Sequence, residues 1–223
     1  ANVNLNKTIA EKQTPWVLIT AAWGFAVFVG VFITSQSSGA HLNPAVTLGL
    51  AVAKKFSWSL VPGYFISQLA GAMFGSWLAY ITYIDHYRLT DDETTVRGTF
   101  CTGPAIKNIK NNFFSETIGT FMLVFGALFI VEPNIKINGT EVENFGLGAL
   151  EALPIGILVW LIGMALGGTT GYAINPARDF GPRVIYQLLP RKNKNAEWNY
   201  SWVPILGPFL GGAIAGIIYN FLM

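Results

Sequence analysis

The chain has 223 residues, of which 52 % are hydrophobic and only 12 % charged, with a net charge of +2 and a mean hydropathy of +0.45. A soluble domain carries roughly a quarter charged residues, so this chain cannot clothe a water-facing surface, and its near-neutral balance excludes a nucleic-acid partner. The single cysteine, Cys101, excludes an internal disulfide and a multi-cysteine metal site and reads as a free loop thiol.

The first fifteen residues are polar, end at Pro15 and contain no signal peptide. Five later stretches are long and apolar enough to cross roughly 30 Å of hydrocarbon. They are Trp16–Thr34, Trp58–Ile84, Phe113–Val131, Ala152–Thr169 and Ser201–Met223. Glu116 is the only charge inside them, and the second also contains Pro62 and Gln68. The intervening segments read as loops: Asp85–Asn112 with most of the charge, Glu132–Glu151, and one that includes Arg191–Asn195. Gly71 with Gly75, Gly207 with Gly211 and Gly212 with Gly216 form Gly-x-x-x-Gly pairs, read as close-packing residues between helices. The sequons at Asn138 and Asn199 read as chance matches.

A repeat organises the chain. Ser38-Gly-Ala-His-Leu-Asn-Pro-Ala45 matches Thr170-Gly-Tyr-Ala-Ile-Asn-Pro-Ala177, with Asn43 and Asn175 132 residues apart. Asn is a good N-cap, and Pro loses no hydrogen bond in a first helical turn. Asn43-Pro44 and Asn175-Pro176 therefore each start a helix, and the apolar stretch that follows is too short to span. One Asn-Pro alone is an ordinary N-cap. Two, at matching places in two halves, point to paired half-helices meeting near the bilayer midplane. Shifting the 113–131 span back by 132 places its counterpart before residue 1. A sixth, N-terminal transmembrane helix is thus expected to be missing from this chain.

On these residues, and on the run Asn175-Pro-Ala-Arg-Asp-Phe-Gly-Pro182, the chain resembles the major intrinsic proteins. The Asp after the Arg resembles their aquaglyceroporin, or glycerol facilitator, branch. The resemblance implies an all-α membrane protein with the aquaporin-like inverted repeat. Its tilted helices form a right-handed bundle around two re-entrant half-helices. Residues 1–223 would form one channel domain, with 1–84 the first repeat, 113–223 the second and 85–112 the connection. It implies a homotetramer in lipid, multi-pass in a bacterial plasma membrane. The activity implied is passive conduction of glycerol, water and other small neutral solutes, with no enzyme activity, cofactor or metal.

It also implies roles for particular residues. Asn43 and Asn175 would offer amide N–H groups to a passing oxygen, within the motifs completed by Pro44, Ala45, Pro176 and Ala177. The carbonyls of Gly39, Ala40, His41, Gly171, Tyr172 and Ala173 would form a ladder of acceptors. Trp23, Gly163, Tyr172 and Arg178 would form the selectivity filter. Gly163 would leave room for carbon where strict water channels carry His. Arg178 would donate to two hydroxyls at once, or else pair with Asp179. Trp23, from sequence alone, is equally a lipid-facing or interfacial residue. Glycerol facilitators commonly carry Phe at Tyr172, whose hydroxyl would add a hydrogen bond or narrow the slot. Glu116 would accept from the second loop's amides, the alternative being a proton relay. Asp179 would brace that loop through its amides or Arg178, and Arg183 would lie near the mouth.

Two rivals stand beside this reading: a strict water channel, and a coupled secondary transporter, which also uses broken helices and inverted repeats. The charges sit awkwardly with the implied orientation. Lys54, Lys55 and Lys136 would be cytoplasmic and nine other Lys and Arg outside, against the positive-inside rule.

Overall fold

The computed structural model describes residues 15–130, 136–137, 140–141 and 146–223. Val131, the sequon residue Asn138 and the lysines at 7 and 12 lie outside the described residues. Five long helices follow the five apolar stretches: α1 (Trp16–Ser38), α3 (Val61–Thr82), α6 (Ile109–Phe129), α7 (Leu153–Leu166) and α9 (Val203–Leu222). Between them lie the shorter α2 (Pro44–Val52) and α8 (Pro176–Leu188). Proline stands in the first turn of α3, α7 and α9, where its missing N–H costs nothing. α1 stops at Gly39, whose left-handed φ of 67° ends the helix. Among the described residues, four stretches meet both the length and the hydropathy needed to cross a membrane: α1, α6, α9, and α7 with its preceding turn. α3 has 22 residues, but Tyr64, Gln68 and Tyr80 dilute its hydropathy.

Polarity is inverted relative to a soluble protein. Thr20, Thr47, Glu116, Thr120, Asp179 and Arg183 are buried, while Phe25, Ile33, Ile66, Phe74, Leu161 and Phe221 are exposed. That distribution suits hydrocarbon outside and a polar interior. α1 packs on α7 and α6 on α9, while α2 lies against α9 and α8 against α3. At the α1–α7 crossing a Cβ on Gly24 would fall 2.7 Å from Gly156 O, and one on Gly156 would fall 2.8 Å from Gly24 O. These two glycines are again 132 residues apart, so the pseudo-two-fold axis passes between them.

Three features differ from the sequence reading. The 85–112 connection contains two short helices, α4 (Ile84–Leu89) and α5 (Glu93–Gly98). Helices this short do not hold by themselves. They are fixed by Tyr87, Val96 and Phe100 packing on Tyr186 and Leu189, and by Arg191, which donates to Tyr87 O, Thr90 O and Glu93 Oε1. Within the 132–151 segment, Lys136–Ile137 pairs antiparallel with Thr140–Glu141. The glycine pairs also divide. Gly207, Gly211, Gly212 and Gly216 lie against backbone of α6 or α2, whereas Gly71 and Gly75 meet nothing within 4 Å among the described residues.

That division generates a prediction. A Cβ on Gly211 would lie 2.8 Å from Phe121 N, so Gly211→Ala must push α9 off α6, at about 1–3 kcal/mol. Its melting temperature in detergent should fall. Gly71→Ala and Gly75→Ala should leave it unchanged or raise it, because Ala favours helix over Gly. Equal melting temperatures for all three would contradict the packing described.

Candidate functional site

Both half-helices start as their sequences dictate. Asn43 and Asn175 share a φ of −155°. Asn43 Oδ1 accepts from Ala45 N at 2.9 Å, and Asn175 Oδ1 from Ala177 N at 3.0 Å and Arg178 N at 3.2 Å. Pro44 and Pro176 are the first helical residues, and Ala45 and Ala177 pack inside. The amide nitrogens reach across to the other copy. Asn43 Nδ2 donates to Ile174 O at 2.7 Å and Asn175 Nδ2 to Leu42 O at 2.9 Å. The two helix N-termini therefore meet tip to tip, and each amide keeps a second N–H on a residue that lines the central cavity.

The approach to each tip is a strained loop with a shared pattern. Gly39, Ala40 and Leu42 have φ of 67°, 51° and 54°, and Gly171, Tyr172 and Ile174 have 76°, 37° and 43°. Four of these six carry side chains, for which this region costs of order 1–3 kcal/mol each. Different groups hold the two loops in place. Glu116 accepts from Ala173 N at 2.9 Å and Ile174 N at 2.8 Å. On the other side Gln68 Nε2 donates to Thr47 Oγ1 at 2.9 Å, and Thr47 Oγ1 donates to Asn43 O at 3.1 Å. His41 Nδ1 lies 3.0 Å from that hydroxyl, with its ring against Phe56 and Tyr64.

The loops enclose a cavity of about 310 Å³. Its wall includes Gly39, Ala40, His41, Asn43, Asn175, Ala173 and apolar side chains such as Val27, Leu50 and Val159. Trp23, Tyr172 and Arg178 line it together. The Arg178 guanidinium stacks 4.1 Å from the Trp23 ring centroid and donates to Phe100 O at 3.2 Å. Gly163 and Gly171 are not on this wall. Gly163 lies behind Tyr172, where its Cβ would fall 2.7 Å from Tyr172 Cζ. The space that glycine leaves is filled by the tyrosine ring. The Tyr172 hydroxyl is buried and, among the described residues, has no hydrogen-bond partner.

Asp179 faces away from Arg178. Its carboxylate accepts from Thr102 N at 2.8 Å, Thr102 Oγ1 at 2.7 Å and Arg183 Nε at 2.8 Å. Arg183, fully buried, also donates to the carbonyls of Thr102, Ala196 and Glu197. Sequence reasoning left Arg183 near the mouth. Its spacing of four from Asp179 on one helix face was the available signal. The pair ties α8 to the 99–108 loop and so holds the Phe100 carbonyl that Arg178 uses. Gln68, Thr47 and Trp16 were also missed, because nothing in an apolar run distinguishes an inward-facing residue from a lipid-facing one.

The major intrinsic protein family matches residues 1–219. The chain is 46 % identical over 223 residues to a probable glycerol uptake facilitator protein of Thermotoga maritima, covering 100 % of this chain and 90 % of that one. It is 47 % identical over 223 residues to glycerol uptake facilitator protein 3 of Lactiplantibacillus plantarum, covering 100 % and 88 %. The solved structure of the aquaglyceroporin from Plasmodium falciparum superposes with a TM-score of 0.81 at 29 % identity, over 98 % of this chain and 87 % of that one.

Two predictions come from this geometry. Removing one member of a buried ion pair strands the other charge, at about 3–5 kcal/mol. Asp179→Ala and Arg183→Ala should each lower stability steeply in a detergent unfolding assay, and the double variant by less than the sum. Additive losses would dissolve the pair. Cys101 is buried, and burial pushes its thiol up to about 12 from an ordinary value near 9. At pH 8 about one folded thiol in ten thousand is then thiolate, the reactive form, so a disulfide reagent should label Cys101 only after unfolding. Because the unfolded thiol ionises first, this group also lowers stability as pH rises from about 9 to about 12.

Proposed function

The chain belongs to the major intrinsic protein family, and from that premise we propose a passive membrane channel for glycerol and other small neutral solutes, with water. The observation that carries the reading is the meeting of two amide caps and one guanidinium around one largely apolar cavity. Its nearby relatives include proteins named for glycerol uptake and one named as a D/L-lactic acid transporter, 38 % identical over 204 residues.

The chemistry runs as follows. Arg178 donates to adjacent hydroxyls of a polyol, while the faces of Trp23 and Tyr172 meet its carbon side. Deeper in, the free N–H of Asn43 and of Asn175 donates to the solute oxygen. Loop carbonyls at Gly39, Ala40, His41, Tyr172 and Ala173, residues that line the cavity, accept from its hydroxyls in place of water. Two helix N-termini and a guanidinium all present positive potential, so cations, including hydronium, are repelled. Glu116 is committed to two loop amides, which favours a structural role over a proton relay and a channel over a coupled transporter. The protein is read as a homotetramer in a bacterial plasma membrane.

Stopped-flow light scattering on proteoliposomes tests this. Glycerol-driven reswelling should far exceed that of empty vesicles and need no proton gradient. Gly163→His would drive its side chain into the place of the Tyr172 ring and push that ring into the cavity. Glycerol flux should then fall about tenfold, equivalent to about 1.4 kcal/mol of barrier, and water flux less. Equal loss of both would count against the filter.

A further inference from the structure

The position of the Tyr172 ring is set from behind the cavity wall. Gly163 on α7 and Gly167, the C-cap of that helix one turn later, open a slot. A Cβ on Gly163 would meet Tyr172 Cζ at 2.7 Å, and a Cβ on Gly167 would meet Tyr172 Cδ1 at 2.6 Å. The slot is closed by Trp16 on α1. The Trp16 ring stands edge-on to Tyr172, with centroids 5.9 Å apart and planes at 77°. Its Cζ2 would also lie 2.6 Å from a Cβ on Gly167. Trp16 Nε1 donates to Gly163 O at 3.0 Å, joining α1 to the helix that carries the slot. One turn on, Thr20 donates to Trp16 O at 3.1 Å and its Cγ2 would lie 2.9 Å from a Cβ on Gly163. Among the described residues no hydrogen bond anchors Tyr172 at its tip, since its hydroxyl has no partner there. Its backbone is strained, with φ of 37°. Packing holds the ring, and the edge-on indole of Trp16 is part of that packing.

We propose that Trp16 is a positioning residue for selectivity: by closing the Gly163–Gly167 slot it fixes the Tyr172 ring and thereby the width of the passage between Tyr172, Trp23 and Arg178. A tryptophan at the start of an apolar helix, 40 % exposed, is ordinarily an interfacial anchor. An anchor directs its indole N–H to water or headgroups, whereas here that N–H is bonded to a carbonyl on another helix. Removing the indole empties the space on the side of the ring away from the solute. The ring then retreats and the passage widens.

The proposal rests on the channel reading, and its test separates the two. Native protein, Trp16→Ala, Trp16→Phe, Tyr172→Ala and the Trp16→Ala/Tyr172→Ala double variant are reconstituted in parallel. Water, glycerol and four-carbon erythritol permeabilities are measured for each. The erythritol-to-glycerol ratio should rise at least several-fold in Trp16→Ala and less in Trp16→Phe, which keeps an aromatic ring but loses the N–H bond and part of the indole's bulk. In the Tyr172→Ala background, Trp16→Ala should add nothing, because a residue that acts through the ring has no effect once the ring is gone. If Trp16→Ala does not fold, the Trp16→Phe ratio decides. A ratio at or below the native value in folded protein, or an equal effect with and without Tyr172, overturns the assignment and leaves the channel standing. Native vesicles no more permeable than empty ones overturn the channel and the assignment with it.

Discussion

The structure depends on a reciprocal exchange. Asn43 donates to the carbonyl before Asn175, and Asn175 donates to the carbonyl before Asn43. Two helix N-termini each carry roughly half a positive charge, so bringing them together is unfavourable unless each finds an acceptor. The exchange gives each tip the other's carbonyl. It works only because Leu42 and Ile174 are left-handed, a conformation that few side-chain-bearing residues adopt without support. Half-helices, strained loops and cavity are therefore one arrangement, and none of the three is stable alone.

The support differs between the halves, and this explains the polar residues buried in so apolar a chain. The second loop leans on Glu116, whose two oxygens take two consecutive amides. The first leans on Thr47, itself held by Gln68 and neighboured by His41. The Asp179–Arg183 pair locks α8 to the 99–108 loop. The Glu116 and Asp179–Arg183 networks are paired throughout, as a low-dielectric interior demands, while Gln68 keeps a buried Oε1 that has no partner among the described residues. A carboxylate with both oxygens engaged is poorly placed to relay protons.

Much of this was legible in the sequence. The caps, the half-helices and the five long helices follow from Asn-Pro, from apolar run length and from the 132-residue repeat. Arg178 stands out because a charge so close to an apolar run needs a reason. Other features left no trace. Left-handed φ at Ala40, Leu42, Tyr172 and Ile174 is imposed by tertiary contacts, since only Gly39 and Gly171 announce it. Trp16 reads as an interfacial anchor because direction around a helix is invisible where every face is apolar. Gly24 and Gly156 did carry the repeat distance, but a glycine within an apolar run looks like any packing glycine. The short α4 and α5 exist only through contacts with α8 and the segment after it.

The repeat also shows how the two ends of the cavity differ. Shifting by 132 residues pairs Trp23 with Ile155, Arg178 with Val46, Tyr172 with Ala40 and Gly163 with Val31. Ile155, Val46, Ala40 and Val31 all line the cavity, so the scaffold offers two equivalent stations and only one carries a charge and aromatic rings. The amide caps and helix dipoles come twice, because the pseudo-two-fold axis generates them. The guanidinium comes once. A second one would need its own stacking partner and bracing carbonyl, as Arg178 has in Trp23 and Phe100, against the cost of another charge at membrane depth. A solute needs its hydroxyls sorted from ions at one point only, and after that an apolar wall with spaced donors and acceptors lets it pass without being held.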